Sequence, residues 1–499
     1  MDEQYSQNQP WQANYVPDLY PPARPAFPCG KREWIFLTAQ LVLNLFLWNC
    51  LIYGGMNLGF AIGAAGLTGC SWWYLGRKTG AYPTALLIFG ILIALGFARS
   101  DDGFVKFVMT GFLLLAVNLG LCLTAGQNRR FAGSFASLLD GPRALFTLGF
   151  GSMGTAGRGL VQSRHTLGAA GKKGGAVLLG LLIAAPLLAV MVFLLMSADA
   201  AFEGLLDRLP EVDLTEVPGT LVFGIFSCWV LFARGLALRG RDREAPPLRH
   251  RRGMSSLTVN TILAAVCAVY LVYLISQLAY LSGGLSGILP ENYTMAEYAR
   301  RGFFEMAWLC AINLTVISIA IGVVEKEEKA PLATRILCLF IGIVTVFLVV
   351  TASAKMLLYI GAYGLTRLRV LTEVIMVFLG ISTVVVSVWI FLPKLRYMQV
   401  ILLTALALGT LTLWADVDTC VAAYNVRAYQ SGQLDTIDMR HLGSLGSGAV
   451  PYIAELTEDE NPEVAVIARD LLRRYDETDD LRWWNYADAR AAEIMEEYQ

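Results

Sequence analysis

The chain has 499 residues, 56% of them hydrophobic and only 16% charged, and its 39 basic and 40 acidic side chains leave a net charge of -1. With a mean hydropathy of +0.54 and far less than the roughly 25% charge of a soluble domain, the composition excludes an ordinary water-soluble protein and points to a bilayer. Near-neutrality argues against nucleic acid as a partner; nine cysteines without a CxxC pair and only three histidines give no disulfide framework and little material for a zinc site.

Residues 1–30 hold six prolines among Gln, Asn and Tyr, a composition that neither forms a helix nor buries a core, so a disordered tail is predicted. Lys31 and Arg32 then precede an apolar run from Trp34 to Tyr53, about as long as a bilayer requires at ~1.5 Å per residue. Its length and position read as a signal anchor, not a cleaved signal peptide. Ten further apolar runs follow at approximately 56–76, 81–98, 104–124, 176–196, 217–238, 256–282, 302–324, 336–360, 369–392 and 398–415. The fold expected is all-α: a polytopic transmembrane bundle of about 11 spans, four within 31–124 and seven within 176–415, followed by a small soluble helical domain.

Basic residues are retained on the cytoplasmic side of a membrane. With the N-terminus inside, the inner segments carry 23 basic residues and the outer loops five, Arg99, Arg208, Arg300, Arg301 and Arg367. An odd number of spans then puts residues 416–499 outside the cytoplasm. The net charge conceals this partition: residues 1–415 carry 32 basic and 22 acidic groups, whereas 416–499 carry 7 and 18.

Between the fourth and fifth runs, the segment 125–175 carries seven basic residues and one acid, and is expected to lie as a loop against anionic lipid head groups. Gly149, Gly151 and Gly154 match GxGxxG. No strand-helix-strand context surrounds them and no ribose-binding acid follows about twenty residues on, so dinucleotide binding is not the favoured reading and no cofactor is expected.

In the C-terminal segment, Leu442, Leu445, Val450 and Ile453, then Val464, Ile467, Leu471 and Leu472, recur at helical spacing. Asn461-Pro462-Glu463 supplies an N-cap, a first-turn proline and an acid favoured by the helix dipole. The stretch Ala487 to Tyr498 is expected to form one more short helix, packed on these or on the membrane interface.

Ionisable groups inside spans cost several kcal/mol unless paired or hydrated, so they mark candidate sites. Asp199, Glu305, Lys355 and Glu373 come from four different spans, each near the outer end. Tyr298, Arg301 and Glu305 share one helical face, which Asn313 extends inward. In one reading, Arg301–Glu305 and Arg369–Glu373 are i,i+4 pairs that neutralise themselves within their helices, and Lys355 reaches toward the interface. In the other, Asp199, Tyr298, Arg301, Glu305, Lys355, Arg369 and Glu373 converge on an outward-facing, water-filled cavity for an ion, a small polar solute or a lipid head group. At the exit of the last span, Asp416 and Asp418 are read as acids solvating the membrane boundary, ahead of a calcium site.

Several stretches together carry a resemblance. Ser197-Ala198-Asp199 with Phe202, Tyr298-Ala299-Arg300-Arg301-Gly302-Phe303-Phe304-Glu305, Tyr363-Gly364-Leu365-Thr366 with Arg369, and Tyr424-Asn425 leading to Leu434-Asp435 and Ala449-Val450-Pro451 resemble the bacterial membrane-protein family catalogued as domain of unknown function 4173, with its relative 4153. The likeness covers roughly residues 175–499. It implies a multi-pass bacterial protein and no reaction, and Arg301 stands where that pattern would have a further acid.

The leading functional expectation is an extracytoplasmic binding unit, made by the outer polar cluster and the acidic domain, that serves envelope sensing, assembly or regulation, with a solute, an ion or an envelope protein as partner. A transporter using the same residues is the first alternative. An envelope enzyme acting on a lipid-linked substrate, with Glu305 or Glu373 as acid or base, is the second, although no nucleophile stands beside a base.

Overall fold

A computed structural model describes residues 29–76, 79–128, 135–163, 217–240, 254–284, 303–323, 331–475 and 482–498, together with 27, 180, 184 and 191. Among the described residues there is no strand. In lipid every backbone amide and carbonyl must find its partner within the segment, which is what apolar runs of this length achieve as helices. The first four are α1 (Lys31–Gly54), α2 (Leu58–Leu75), α3 (Ala81–Gly96) and α4 (Gly103–Ala125). Short turns at Phe135–Leu139, Asp140–Arg143 and Ala144–Leu148 lead into α5 (Gly149–Ser163). Then come α6 (Val217–Gly240), α7 (Ser256–Gly284), α8 (Phe303–Val323), α9 (Leu332–Tyr363), α10 (Arg367–Phe391) and α11 (Tyr397–Ala415). Eight of these are long and apolar enough to cross a membrane, while α3 is apolar but shorter. The chain is a multi-pass helical membrane protein. The span expected at 176–196 lies outside the described residues apart from isolated positions.

Two apolar cores organise the bundle. One joins α2, α3, α4 and the turns before α5 to α11, with α1, α5 and α6 packed alongside around Phe36, Tyr74 and Phe232. The other joins α7, α8, α9 and α10. The last span therefore returns to the N-terminal helices: Leu406 and Leu413 are buried there, and Trp414 Nε1 donates to the Leu92 carbonyl of α3 at 3.0 Å. The segment expected as a basic loop is helical from 149 to 163, so Gly149, Gly151 and Gly154 lie on α5 and form no phosphate-cradling turn. Its apolar side packs on α6 through Ala156 and Leu160.

A line of buried polar side chains runs through the N-terminal half. Trp48 Nε1 donates to Ser227 Oγ at 2.8 Å, Ser227 donates to Asn44 Oδ1 at 2.8 Å, and Asn44 contacts Gln40, whose Nε2 donates to Ser71 Oγ at 3.2 Å. The line ends at Arg234 of α6, which donates to Ser71 Oγ at 3.2 Å and to Asn118 Oδ1 at 2.6 Å. Arg234 is 3% exposed and its Nε has no hydrogen-bond partner.

The C-terminal domain comprises α12 (Val417–Gln430), α13 (Met439–Gly443), a 3-10 turn at Gly446–Ala449, α14 (Val450–Glu455), α15 (Pro462–Arg473) and α16 (Tyr486–Tyr498). Its core holds Leu442, Leu445, Val450, Ile453, Val464 and Leu472 as the spacing requires, with Val421 and Val426 of α12. Ile467, expected on that face, is instead 44% exposed. The Asn461 cap forms, its Oδ1 accepting from the Glu463 amide at 3.0 Å. At 32 residues, α9 is about 48 Å long at ~1.5 Å per residue, well beyond the ~30 Å of a bilayer core, so at least one end projects from it.

Candidate functional site

Antiparallel spans joined by short turns bring alternate helix ends to one side. The α1–α2, α3–α4 and α9–α10 turns and the end of α11 all meet the C-terminal domain. Backbone bonds tie the two parts directly: the Leu58 amide donates to the Trp484 carbonyl at 3.1 Å and the Tyr486 amide to the Ala98 carbonyl at 2.9 Å. Arg99 lies 4.0 Å over the Tyr486 ring.

A polar cavity of about 230 Å³ opens where the α9–α10 turn faces α12 and α13, with Tyr363, Thr366, Arg369, Asn425, Asp438 and His441 in its wall. Asn425 holds that turn in place. Its Oδ1 accepts from the Leu365 amide at 2.7 Å and its Nδ2 donates to the Leu365 carbonyl at 2.9 Å. The pair of bonds imitates a backbone bridge and satisfies both polar groups of a residue outside any helix. Gly364 makes this approach possible: its φ is +73°, and a Cβ there would stand 2.5 Å from Asn425 Oδ1.

Arg369 closes the end of α9. Its Nη1 donates to the carbonyls of Tyr363, at 3.0 Å, and Gly364, and its guanidinium lies 4.2 Å over the Tyr359 ring. This is a cation at a helix C-terminus, where the dipole favours it. The expected Arg369–Glu373 pair is therefore not made: the guanidinium has richer acceptors across the turn than one i,i+4 carboxylate on its own helix provides.

His441, in the first turns of α13, receives its backbone restraint from Asp438, whose Oδ1 accepts from the His441 amide at 2.9 Å. Its Nε2 is buried without a hydrogen-bond partner. Burial holds the imidazole below its ordinary pKa; Asp438 opposes this, while Arg367 and Arg369 reinforce it. His441 thus stands in the cavity wall with one ring nitrogen shielded from water and its hydrogen-bonding capacity unspent.

On its other side the same turn enters a cluster of charges. Arg367 forms a two-pronged pair with Asp418, in which Nη2 to Oδ2 is 2.7 Å, and donates to the Ser444 carbonyl at 3.2 Å. Asp102 caps α4, its Oδ1 accepting from Phe104 and Val105 amides at 2.9 and 3.1 Å. Its Oδ2 is buried without a hydrogen bond, 3.9 Å from Arg367 Nε. Asp416 accepts from Ser100 Oγ at 3.0 Å and Thr419 Oγ1 at 2.6 Å, which holds it at φ +55°, a left-handed conformation that aspartate tolerates better than most residues. Lys106, buried in the first turn of α4, donates to Asn57 Oδ1 at 2.7 Å. Asp488 accepts from Asn485 Nδ2 at 2.6 Å.

Of the cluster expected from the sequence, Asp199, Tyr298 and Arg301 lie outside the described residues. The other four do not assemble. Glu305 is exposed on the first turn of α8, while Asn313 is buried two turns on, accepting from Tyr270 Oη at 2.7 Å and donating to Thr345 Oγ1 at 2.9 Å. Glu373 turns toward Ser353 of α9 and keeps Oε1 buried without a partner. Lys355 is half-buried on α9 and does not line the cavity. Only Arg369 belongs to the cavity. Asp416 and Asp418, expected to be solvated at the membrane boundary, are 1% and 2% exposed, because the domain folds back over the end of α11.

Asn57, Asp102, Lys106 and His441 help build the site although the sequence reading named none of them as candidates, and Arg367 was noted only as a basic residue of an outer loop. The motif stretches did carry a signal: Tyr363 to Thr366, Arg369, Asn425 and Leu434 are far apart in the chain, yet they meet at this cavity.

A search of curated proteins returned no match, and a search of solved structures returned none. One family model matches residues 87–456. It is that of the relative, 4153, and not of 4173, and it reaches further toward the N-terminus than the motif stretches do, taking in α4 and most of α3. The match takes in the cavity and the charge cluster apart from Asn57, Asn485 and Asp488, and on it the chain belongs to the family described as Domain of unknown function (DUF4153).

Proposed function

We propose that the span ends and the C-terminal domain form one ligand-binding unit on the outer face of a bacterial cytoplasmic membrane, with the N-terminus inside, and that the unit serves envelope sensing, assembly or regulation. The observation that carries this reading is the polar cavity built jointly by the α9–α10 turn and α12–α13, with Arg369, Asn425, Asp438 and His441 converging in its wall. A cavity with convergent polar groups at the meeting of two structural units is where small polar ligands bind. Orientation rests on the excess of basic residues in the opposite loops. Anionic lipid as a partner of the 125–175 segment is supported by exposed Phe135, Leu139, Phe146 and Phe150 near Arg143 and Arg158.

A thermal-shift screen of the detergent-solubilised full-length protein against carboxylates, phosphates and sugars tests the reading. A ligand near 100 times its Kd stabilises by about 2.7 kcal/mol, a shift of a few degrees. At least one class should raise the transition in the native protein and fail to do so in His441→Ala; no response to any class rejects the unit as a small-ligand site.

A transporter is the second reading, favoured by the buried polar line that ends at Arg234. Uptake into proteoliposomes across ions and small metabolites is its measurement. Flux should fall in Arg234→Gln, and uniformly absent flux in the native protein counts against transport.

A further inference from the structure

Arg369 and Asp438 put one cation and one carboxylate into the wall of the same cavity. Each is pinned by its own backbone neighbours. Nη1 of Arg369 is spent on the carbonyls that end α9, and the Tyr359 ring covers one face of the guanidinium. Its Nε–Nη2 edge makes no hydrogen bond with a described residue. That edge is a planar two-donor fork, the shape that holds two oxygens of a carboxylate or a phosphate at once. Asp438 spends Oδ1 on the His441 amide, and its Oδ2 has no hydrogen-bond partner among the described residues. Asn425 adds no recognition of its own, because both ends of its amide are committed to Leu365.

Among the described residues, no ion pair within 4 Å joins Arg369 to Asp438. Two opposite charges that share a cavity, and are held apart by their backbones, suit a ligand that carries both. An anion alone would meet Arg369 and be repelled by Asp438, and a cation alone would meet the reverse. At about 230 Å³ the cavity is smaller than the ~300–1,000 Å³ of sites for drug-sized molecules, so the ligand is small.

We propose that the cavity binds a small zwitterion, with its carboxylate or phosphate in the Nε–Nη2 fork of Arg369 and its primary ammonium on Asp438. This rests on the reading of the cavity as a binding unit and names its ligand class. Tyr363 and Thr436 bring hydroxyls to the same wall. Because Arg369 belongs to the spans and Asp438 to the C-terminal domain, the ligand bridges the two units. A free amino acid and the ethanolamine phosphate head group of a lipid share this chemistry. Tyr363 and Leu368 are exposed apolar side chains at the ends of spans, so the cavity lies at a boundary where both sources are present.

Isothermal titration of the full-length protein in maltoside micelles compares alanine with propionate and ethylamine, and glycerophosphoethanolamine with glycerophosphocholine, whose quaternary ammonium has no N–H to give Asp438. In at least one series the zwitterion with a primary ammonium should bind about tenfold or more tighter than its comparators, as for a hydrogen bond between charged groups. Asp438→Asn keeps an oxygen for the His441 amide and should abolish that preference. Arg369→Lys keeps a cation at the end of α9 but lacks the fork, and should weaken the preferred zwitterion about tenfold or more. The preference of the native protein is read without any variant. Nanodiscs then identify the source: weaker binding of the preferred probe in phosphatidylethanolamine than in phosphatidylcholine marks the lipid head group as resident, and equal binding marks a free zwitterion. Equal affinity of the native protein for zwitterions and their comparators, or a preference kept in Asp438→Asn, overturns the proposal. Stabilisation by a simple anion or a sugar without a zwitterion preference removes the ligand class and keeps the binding unit; no response to any probe, here and in the thermal screen, removes both.

Discussion

At the scale of residues, the α9–α10 turn depends on two side-chain choices. Asn425→Leu would leave the Leu365 amide and carbonyl without partners, at about 1–3 kcal/mol for a stranded buried polar group. Gly364→Ala would place a side chain at φ +73° and ψ -179° against Asn425, costing about 1–3 kcal/mol for the backbone alone. Both should lower the thermal transition followed by circular dichroism, and a Gly364→Ala protein as stable as the native one would refute the packing described. His441 contributes a pH effect of its own. Because its folded pKa is depressed, the stability it contributes is present above the ordinary histidine value and is lost as pH falls through the folded one. His441→Gln should therefore narrow the drop in the transition between pH 7.5 and pH 5, measured by differential scanning calorimetry; an unchanged drop would show that His441 does not titrate in this window.

The same scale shows what residue spacing can and cannot locate. Glu305, Lys355, Glu373 and Arg369 were legible as unusual because each is a charge in an apolar run. Their partners were not legible. Whether Arg369 meets Glu373 on its own helix or the carbonyls of Tyr363 and Gly364 depends on the path of the turn, and that path is set by Asn425, about sixty residues on.

Among the elements, existence and type follow from the length of the apolar runs, since a run of about twenty residues in lipid has no other way to pair its backbone. The helices α1, α4 and α6 to α11 are where the hydropathy puts them. Which faces are lipid-exposed and which are buried was not legible, because runs that are apolar all round carry almost no periodic signal. Arg234 illustrates this. It reads as one more basic residue near a span end, yet tertiary packing buries it against Asn118 and Ser71. Asn118→Leu removes its shortest hydrogen bond and should destabilise the N-terminal half by about 1.5–3 kcal/mol, the range for a hydrogen bond to a charged group. Denaturant titration in micelles measures this, and restoration by Asn118→Gln would separate the hydrogen bond from side-chain volume.

For the whole molecule, the opposed charges of residues 1–415 and 416–499 become a statement about architecture. The ends of the helices that meet the domain are those the distribution of basic residues assigns to the outer side. Alkaline phosphatase fused after residue 499 should be active in cells, and cytoplasmic reporter activity at that position would reverse the proposed orientation and with it the proposed outward placement of the site.

The sequence by itself determined class, span positions, the helical domain and its caps, because these follow from local hydropathy, length and capping chemistry. Only the tertiary structure decided that α11 closes back on α3 and α4, that Asp416 and Asp418 are buried against Ser100 and Arg367, and that the cavity forms at the α9–α10 turn. Those outcomes rest on contacts between residues far apart in the chain, where packing and desolvation, not local pattern, select each polar group's partner.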